Sequence, residues 1–404
     1  MNQTRTFDLR TGTTTEQPGT FDRWLAGRLQ SVIEPSRLRL ELWDGSSLYS
    51  RSDAIGSIVV RNRRTLVGLV IDPDLWFGEA YTAGTLDVRG DLEGVIEGFT
   101  PVTLQPTLLE RFRGVLARSN SLNLARRNAH HHYDLGNDFY ERWLDRDLVY
   151  TCAYFARPDM SLEEAQHAKF DLVCRKLHLQ PGETVVEAGC GWGTFALYMA
   201  RRFGVRVRAF NVSREQLAYA RARAAREGLT DRVEFVDDDY RNLTGEYDAF
   251  VSIGMLEHVG ARQYDAFSAV LRRAVRHGGR GLLHFIGRDR PRPLNTWVQR
   301  RIFPGAYPPT LDEVGSRILG PAAMSILDVE NLRLHYARTL EHWRTRFAAI
   351  EADVGARYGD AFERAWRLYL AGSQAAFVTG SLQLFQVVFA RSDAPPPYWA
   401  RADL

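Results

Sequence analysis

Glu187, Asn211, Asp239, Glu257 and His284 recur at an interval that puts each near the end of an apolar run, and their types could hold a polar ligand and move a proton. The first of them closes a strand-like run, 184–187, which passes into Gly189, Gly191 and Gly193 and then into a helical pattern over 194–200. Glycines at such a strand-to-helix turn let the backbone approach a ligand with no Cβ in the way, although plain turn glycines have the same spacing. The three adjacent histidines at 130–132 invite a metal, but neighbours on a regular helix or strand cannot all point into one site, so no metal is assigned. Cys152, Cys174 and Cys190 are too few and too scattered for a disulfide framework or a zinc site. Cys174 reads as structural.

The surrounding elements alternate. Further strands are expected at 205–212, 233–236, 248–253 and 281–286, with helices opening at Ser213 and spanning 264–275. Ser213 and Gln216 have capping-box spacing, and Gly228 stops their helix. Ser161 and Glu164 form another such box ahead of a helix with Phe170, Val173 and Leu177 on one side. The pattern predicts an α/β doubly wound parallel sheet with ligands at the carboxyl ends of its strands. Residues 288–343, rich in proline and aromatics, read as a cap insertion over the active site. A long helix over 348–370 and a late strand over 382–389 follow.

Ahead of this domain, residues 1–110 read as a small α+β domain with a helix at 21–32, strands at 37–42, 57–61 and 65–71, and helices at 74–81 and 91–99. Residues 111–130 form a basic linker carrying Arg111, Arg113, Arg118, Arg126 and Arg127. It is either a solvated helix with a linker or a contact for anionic lipid headgroups. The site residues all fall in the third part, 131–404.

The chain has 404 residues, 45% hydrophobic and 25% charged, with a net charge of +3, too small for a global nucleic-acid field. Of its 52 basic residues only Lys169 and Lys176 are lysine. No leader pattern and no run of 18 apolar residues is seen, so a cytoplasmic protein that meets a membrane only peripherally is expected. A dinucleotide dehydrogenase would show G-x-G-x-x-G and an acid closing the second strand. Here that strand ends in Asn211. The pattern suits S-adenosylmethionine instead, with Glu187 facing its amino group and Asp239 its adenine.

Several longer motifs resemble the cyclopropane-fatty-acid synthase family: 132–140 (HYDLGNDFY), 150–155 (YTCAYF), 187–193 (EAGCGWG), 257–260 (EHVG), 283–288 (LHFIGR), 302–305 (IFPG), 335–340 (HYARTL) and 385–389 (FQVVF). The resemblance runs from about 120 to 390; the N-terminal domain is similar, more loosely, to the phospholipid-acting branch. It implies a Rossmann-like class I methyltransferase that adds a methyl group from S-adenosylmethionine to the double bond of an unsaturated acyl chain. A cation forms, water must be excluded, and a base removes one proton to close a cyclopropane ring. In the family the base is thought to be bound bicarbonate. Matching residues imply Cys152, Glu257, His284, Ile286 (through its backbone) and Tyr336 around it, Tyr336 also lending its ring face to the cation. Tyr150, Thr151, Gly189, Gly191, Asn211, Gln216 and Asp239 are implied for the cofactor.

Gln216 competes for this with its capping role, Cys152 with that of a small buried hydrophobe, and His258 is either a base or a helix-start residue. Asn211 stands where threonine is usual, Thr151 where serine is common, Phe285 where a small polar residue is, and Val378 where an arginine is expected. Phe285 is expected to make the pocket wall bulkier and drier, which bears on the product. Proton loss from another carbon would give a methylene branch, and reduction by a partner enzyme a methyl branch. The implied substrate is an unsaturated phospholipid in the bilayer, met at the inner face of the membrane by a possible homodimer. A lipid-binding protein with an inactive methyltransferase domain is the rival from another class.

Overall fold

The computed structural model describes residues 17–49, 52–103, 135–394, 396–398 and 401. The basic linker and the three histidines lie outside these residues, as does most of the C-terminal tail. The described chain divides into two compact units.

The first unit holds the described residues up to 103 together with Asn295–Ile302 and Trp343–Ser381. Its sheet has the order β1 (Leu38–Glu41), β2 (Gly56–Val60), β3 (Leu86–Arg89), with β1 parallel and β3 antiparallel to β2. Helices Thr20–Ile33, Arg63–Ile71, Pro73–Thr82 and Leu92–Thr103 accompany it. Residues 65–71, expected as a strand, are therefore helical. Their β-branched residues imitate a strand, but Asn62 caps the helix by accepting the Thr65 N–H at 2.9 Å. The Trp76 ring packs so close to Gly68 that a Cβ there would lie 2.1 Å from it.

The later segments are bound into this unit by specific contacts. Arg364 donates to Asp87 at 2.7 Å and lies over the Tyr81 ring, and Trp297 fills the space above Gly78. The expected boundaries, 1–110 and 131–404, give way to a unit assembled from three stretches of chain. The expected helix over 348–370 is also broken: Arg333–Ala348, Glu351–Tyr358 and Asp360–Val378 are separate, the last two parted at Gly359, whose φ is 90°.

The second unit is a seven-stranded sheet of β4 (Thr184–Ala188), β5 (Arg206–Asn211), β6 (Val233–Asp237), β7 (Tyr247–Ile253), β8 (Val275–Gly287), β9 (Met324–Asn331) and β10 (Gln383–Arg391). Their order is β6-β5-β4-β7-β8-β10-β9, parallel from β6 to β8, with β10 antiparallel to both its neighbours. Val185, Leu282 and Val388 pack on one face with helices Leu162–Lys176, Thr194–Phe203 and Arg214–Glu227; Cys174 is buried in this core. Val186, Leu283 and Val387 pack on the other face with helix Tyr264–Ala274 and with Val314 and Ile318. The fold is thus a doubly wound α/β sheet. The proposed cap over 288–343 is not one insertion, because β9 lies inside it and forms the sheet edge. Its side chains are largely exposed, which weakens the apolar alternation that would reveal it.

Alternation along β8 puts Leu282, His284 and Ile286 on one face and Leu283 and Phe285 on the other. Phe285 is fully buried against Phe385, with ring centroids 5.8 Å apart, and does not share the face of His284. The expectation that it walls the pocket is corrected by this period of two. Replacing Phe285 by Ala should leave a core cavity and cost about 3–5 kcal/mol, read as a lowered thermal midpoint of the full chain.

Candidate active site

The glycine turn joins β4 to helix Thr194–Phe203. Gly193 has φ 78°, and a Cβ on it would come within 2.6 Å of the Phe235 ring and 2.8 Å of Ala220. Gly191, at φ 51°, has nothing within 4 Å of where a Cβ would stand. The first glycine closes the turn against the core; the second leaves its backbone open to a cavity. The Gly189 and Cys190 N–H groups both donate to Phe210 O at 3.0 Å, fixing the turn to β5.

All eight residues expected at the cofactor line this cavity: Tyr150, Thr151, Glu187, Gly189, Gly191, Asn211, Gln216 and Asp239. Several already have tasks within the chain. Asn211 donates to Gly191 O (3.0 Å) and to Gln216 Oε1 (2.8 Å), and accepts from the Val212 and Ser213 N–H groups, so it braces the turn. Ser213 caps its helix by accepting the Gln216 N–H, but the side chain of Gln216 turns to Asn211, so the expected capping box is only half made. Asp239 is buried and holds Arg241 with both carboxylate oxygens, at 2.7 and 2.9 Å. Arg241, which the sequence did not single out, lines the same cavity.

Glu187 behaves differently. Its Oε2 is buried without a hydrogen-bond partner, and burial pushes its pKa up to about 8, against the pull of Lys169. Lys169 also lines the cavity and is fully buried; its Nζ donates to Thr151 Oγ1 at 2.8 Å and lies 4.5 Å from the centre of the Phe170 ring. Burial brings its pKa down to about 8, while Cys152, Asp145 and Glu187 favour its charge. An acid and an ammonium lining one cavity suit a ligand that carries both a cation and an anion, such as the amino-acid end of S-adenosylmethionine. Sequence reasoning missed Lys169, and its only signal was the rarity of lysine.

Of the five residues expected around the base, Cys152, Glu257, His284 and Tyr336 are buried and Ile286 is half-buried, and none of them lines that cavity. Glu257, in the short helix Leu256–Val259, accepts the Ile286 N–H through Oε1 at 3.5 Å, and its Oε2 has no partner. Burial pushes its pKa up to about 7. His284 accepts from Gln386 at Nδ1 (3.1 Å), whereas its buried Nε2 is unpartnered; burial, then Lys169 and Lys176, hold the ring well below its usual pKa. Cys152 donates to Ala153 O at 3.1 Å and reaches Leu332 O at 4.0 Å; burial pushes its thiol up, so it stays neutral. Tyr336, buried on helix Arg333–Ala348, donates its backbone N–H to the same Leu332 O. Glu257 thus meets the Ile286 N–H directly, whereas Cys152 and the Tyr336 backbone share only the Leu332 carbonyl. His258 lines the cavity against Phe303, and burial lowers its pKa to about 4. Among the described residues no cluster of His, Cys, Asp and Glu is arranged to hold a metal.

Residues 120–387 match the family model for mycolic acid cyclopropane synthetase. The chain is 36% identical over 388 residues to a probable fatty acid methyltransferase of Pseudomonas putida, an alignment covering 93% of this chain and 98% of that one. It is 34% identical over 364 residues to the cyclopropane-fatty-acyl-phospholipid synthase of Escherichia coli K12, covering 88% and 93%. Among solved structures it resembles the mycolic acid cyclopropane synthase CmaA1 complexed with SAH and CTAB, with a TM-score of 0.62 and 30% identity over 65% of this chain and 97% of that one.

Because the folded pKa of Glu187 is raised, its contribution to stability is full below the ordinary carboxyl range and is lost as pH rises through about 8. Glu187→Gln should therefore raise the thermal midpoint of the ligand-free protein relative to wild type, by a margin that grows from acidic pH to pH about 8. The same change should abolish detectable S-adenosylhomocysteine binding by calorimetry. A margin independent of pH would show that the carboxyl ionises freely.

Proposed function

The chain belongs to the mycolic acid cyclopropane synthetase family and is an S-adenosylmethionine-dependent methyltransferase; from that premise we propose that it converts the double bond of an unsaturated phospholipid acyl chain into a cyclopropane ring. The observation that carries this is the buried pair of unpartnered polar atoms, Glu257 Oε2 and His284 Nε2, held beside the cofactor cavity. Proton handling in a water-free layer is what closing a ring on a carbocation requires.

S-adenosylmethionine, when bound, supplies an electrophilic methyl group. Glu187 and Lys169 would hold the charges of its amino-acid end, and the backbone at Gly191, with nothing within 4 Å of where a Cβ would stand, would let it approach closely. An alkene is a poor nucleophile, and water would trap the cation it becomes, so the burial of Cys152, Glu257, His284 and Tyr336 is itself part of the mechanism. The Tyr336 ring stabilises the cation through its face. Bicarbonate suits the Ile286 N–H, His284 and Glu257, and would supply the base there. The neutral Cys152 thiol serves as a donor in this layer and takes no covalent part.

A second reading is favoured by the similarity to the Pseudomonas putida fatty acid methyltransferase: loss of a different proton would give a methylene branch, and a partner reductase would then give a methyl branch. Access to lipid is assigned to peripheral contact at the inner membrane face. Supporting this, helix Thr20–Ile33 turns outward a stacked pair, Phe21 (61% exposed) and Trp24 (55% exposed), with Arg28 over the Trp24 ring. Apolar rings flanked by arginine suit a headgroup layer. Among the described residues no helix is long and apolar enough to cross a membrane.

Glu257→Gln and His284→Ala should each lower turnover on the order of 100-fold or more, with S-adenosylhomocysteine affinity little changed; full activity in both would remove the site assignment. Mass spectrometry of unsaturated phospholipid vesicles, incubated with methyl-labelled S-adenosylmethionine, should show one added carbon and no remaining alkene. A retained alkene would establish the branched product, and unlabelled lipid would refute both. Trp24→Ala should weaken sedimentation with anionic vesicles. Equal binding of the wild type to neutral and anionic vesicles would count against the charged contact.

A further inference from the structure

One register row crosses the sheet from the cofactor cavity outward. Ile253 of β7, which lines the cavity, pairs with His284 of β8; His284 pairs with Gln386 of β10, and Gln386 with Glu330 of β9. Residues opposed in this way present their side chains on one face of the sheet. Lys176, at the end of helix Leu162–Lys176, is 1% exposed and reaches this row. Its Nζ donates to Gln386 Oε1 at 2.7 Å and to Glu330 Oε2 at 2.5 Å, with Asp328 Oδ2 at 3.9 Å. On the other side of the amide, Gln386 Nε2 lies 3.1 Å from His284 Nδ1.

Donor and acceptor chemistry leaves one proton arrangement. An ammonium can only donate, so the oxygen of Gln386 must be the atom facing Lys176. The amide nitrogen then faces His284, and it too can only donate. Nδ1 of His284 must therefore be the nitrogen with the lone pair. A neutral imidazole has a single N–H, which falls to Nε2, the buried atom with no partner in the chain. Burial in the presence of two lysines keeps the ring neutral.

We infer that Lys176 and Gln386 are positioning residues, acting in series to fix His284 as an Nε2–H hydrogen-bond donor. His284 then holds an acceptor oxygen, anionic or carbonyl, and is not the base that removes the proton. Glu257, whose Oε2 is the other unpartnered atom, is the neighbouring group left for proton exchange with that ligand. The tautomer follows from the hydrogen bonds alone; the use made of the donor rests on the function proposed above.

The test is long-range nitrogen–proton NMR on the full-length protein with 15N-labelled histidine, recorded without lipid, with His284→Gln to assign the signal. The expected spectrum has a protonated Nε2 and an unprotonated Nδ1. Gln386→Glu puts an acceptor opposite Nδ1, and should move the proton there and lower turnover on the order of 100-fold or more, as a wrong histidine tautomer does elsewhere. S-adenosylhomocysteine affinity should not change. An Nδ1-protonated or doubly protonated His284 in the wild type, or an unmoved proton in Gln386→Glu, would overturn the inference. The expected tautomer in a protein inert toward every unsaturated lipid would uphold the relay and remove the proposed reaction.

Discussion

Two ammonium groups held out of water on one helix set the electrostatics of this protein. Lys169 and Lys176 are seven residues apart, two helical turns, so they project from the same side of helix Leu162–Lys176. One reaches the cofactor cavity and the other the row that runs through His284. Uncompensated buried charge is costly, so each needs counter-groups. Lys169 has the Thr151 hydroxyl, an aromatic face and the field of Glu187; Lys176 has Glu330 and the Gln386 oxygen. The helix itself is fixed at its start by Ser161 and Glu164, which cap it reciprocally. The cavity wall at Thr151 and the row through Gln386 are thus both tied to one helix.

The two sites are separated by alternation more than by distance along the chain. Thr151 faces the cavity while Cys152 faces the dry layer; Met255 and His258 line the cavity while Glu257 between them does not. On β8, a single step moves from His284 to Phe285 and crosses the whole thickness of the sheet. This interleaving sets the buried Cys152, Glu257 and His284 close along the chain or across the sheet to residues that line the cavity, while they themselves stay out of its lining.

The same periodicity explains what could be seen in the sequence. The glycine turn, the parallel strands and the capped Ser161 helix were legible because each is a local pattern with a local cause. The strand-like run at 65–71 misled because β-branched residues occur in helices when a cap and tertiary packing outweigh their preference, as Asn62 and Trp76 do here. Strand β9 was hidden because an exposed edge strand keeps little apolar alternation. Phe285 was assigned a pocket role from its neighbour in sequence, when its neighbour in space is Phe385. Lys169 and Lys176 belong to no motif, and Gln386, though inside the 385–389 motif, carried no role there; their partners lie as far away as Gln386 is from Lys176, across 210 positions of chain. Composition pointed only toward the two lysines.

That composition has a practical side. Arginine supplies nearly all the positive charge, and both lysines are buried. The folded protein consequently presents no lysine amine to solvent. Acylating reagents, aldehyde fixatives and amine-reactive dyes should pass over the native side chains and mark them only once the helix carrying Lys169 and Lys176 parts from the sheet, so that the protein carries its own chemical reporter of opening at the site.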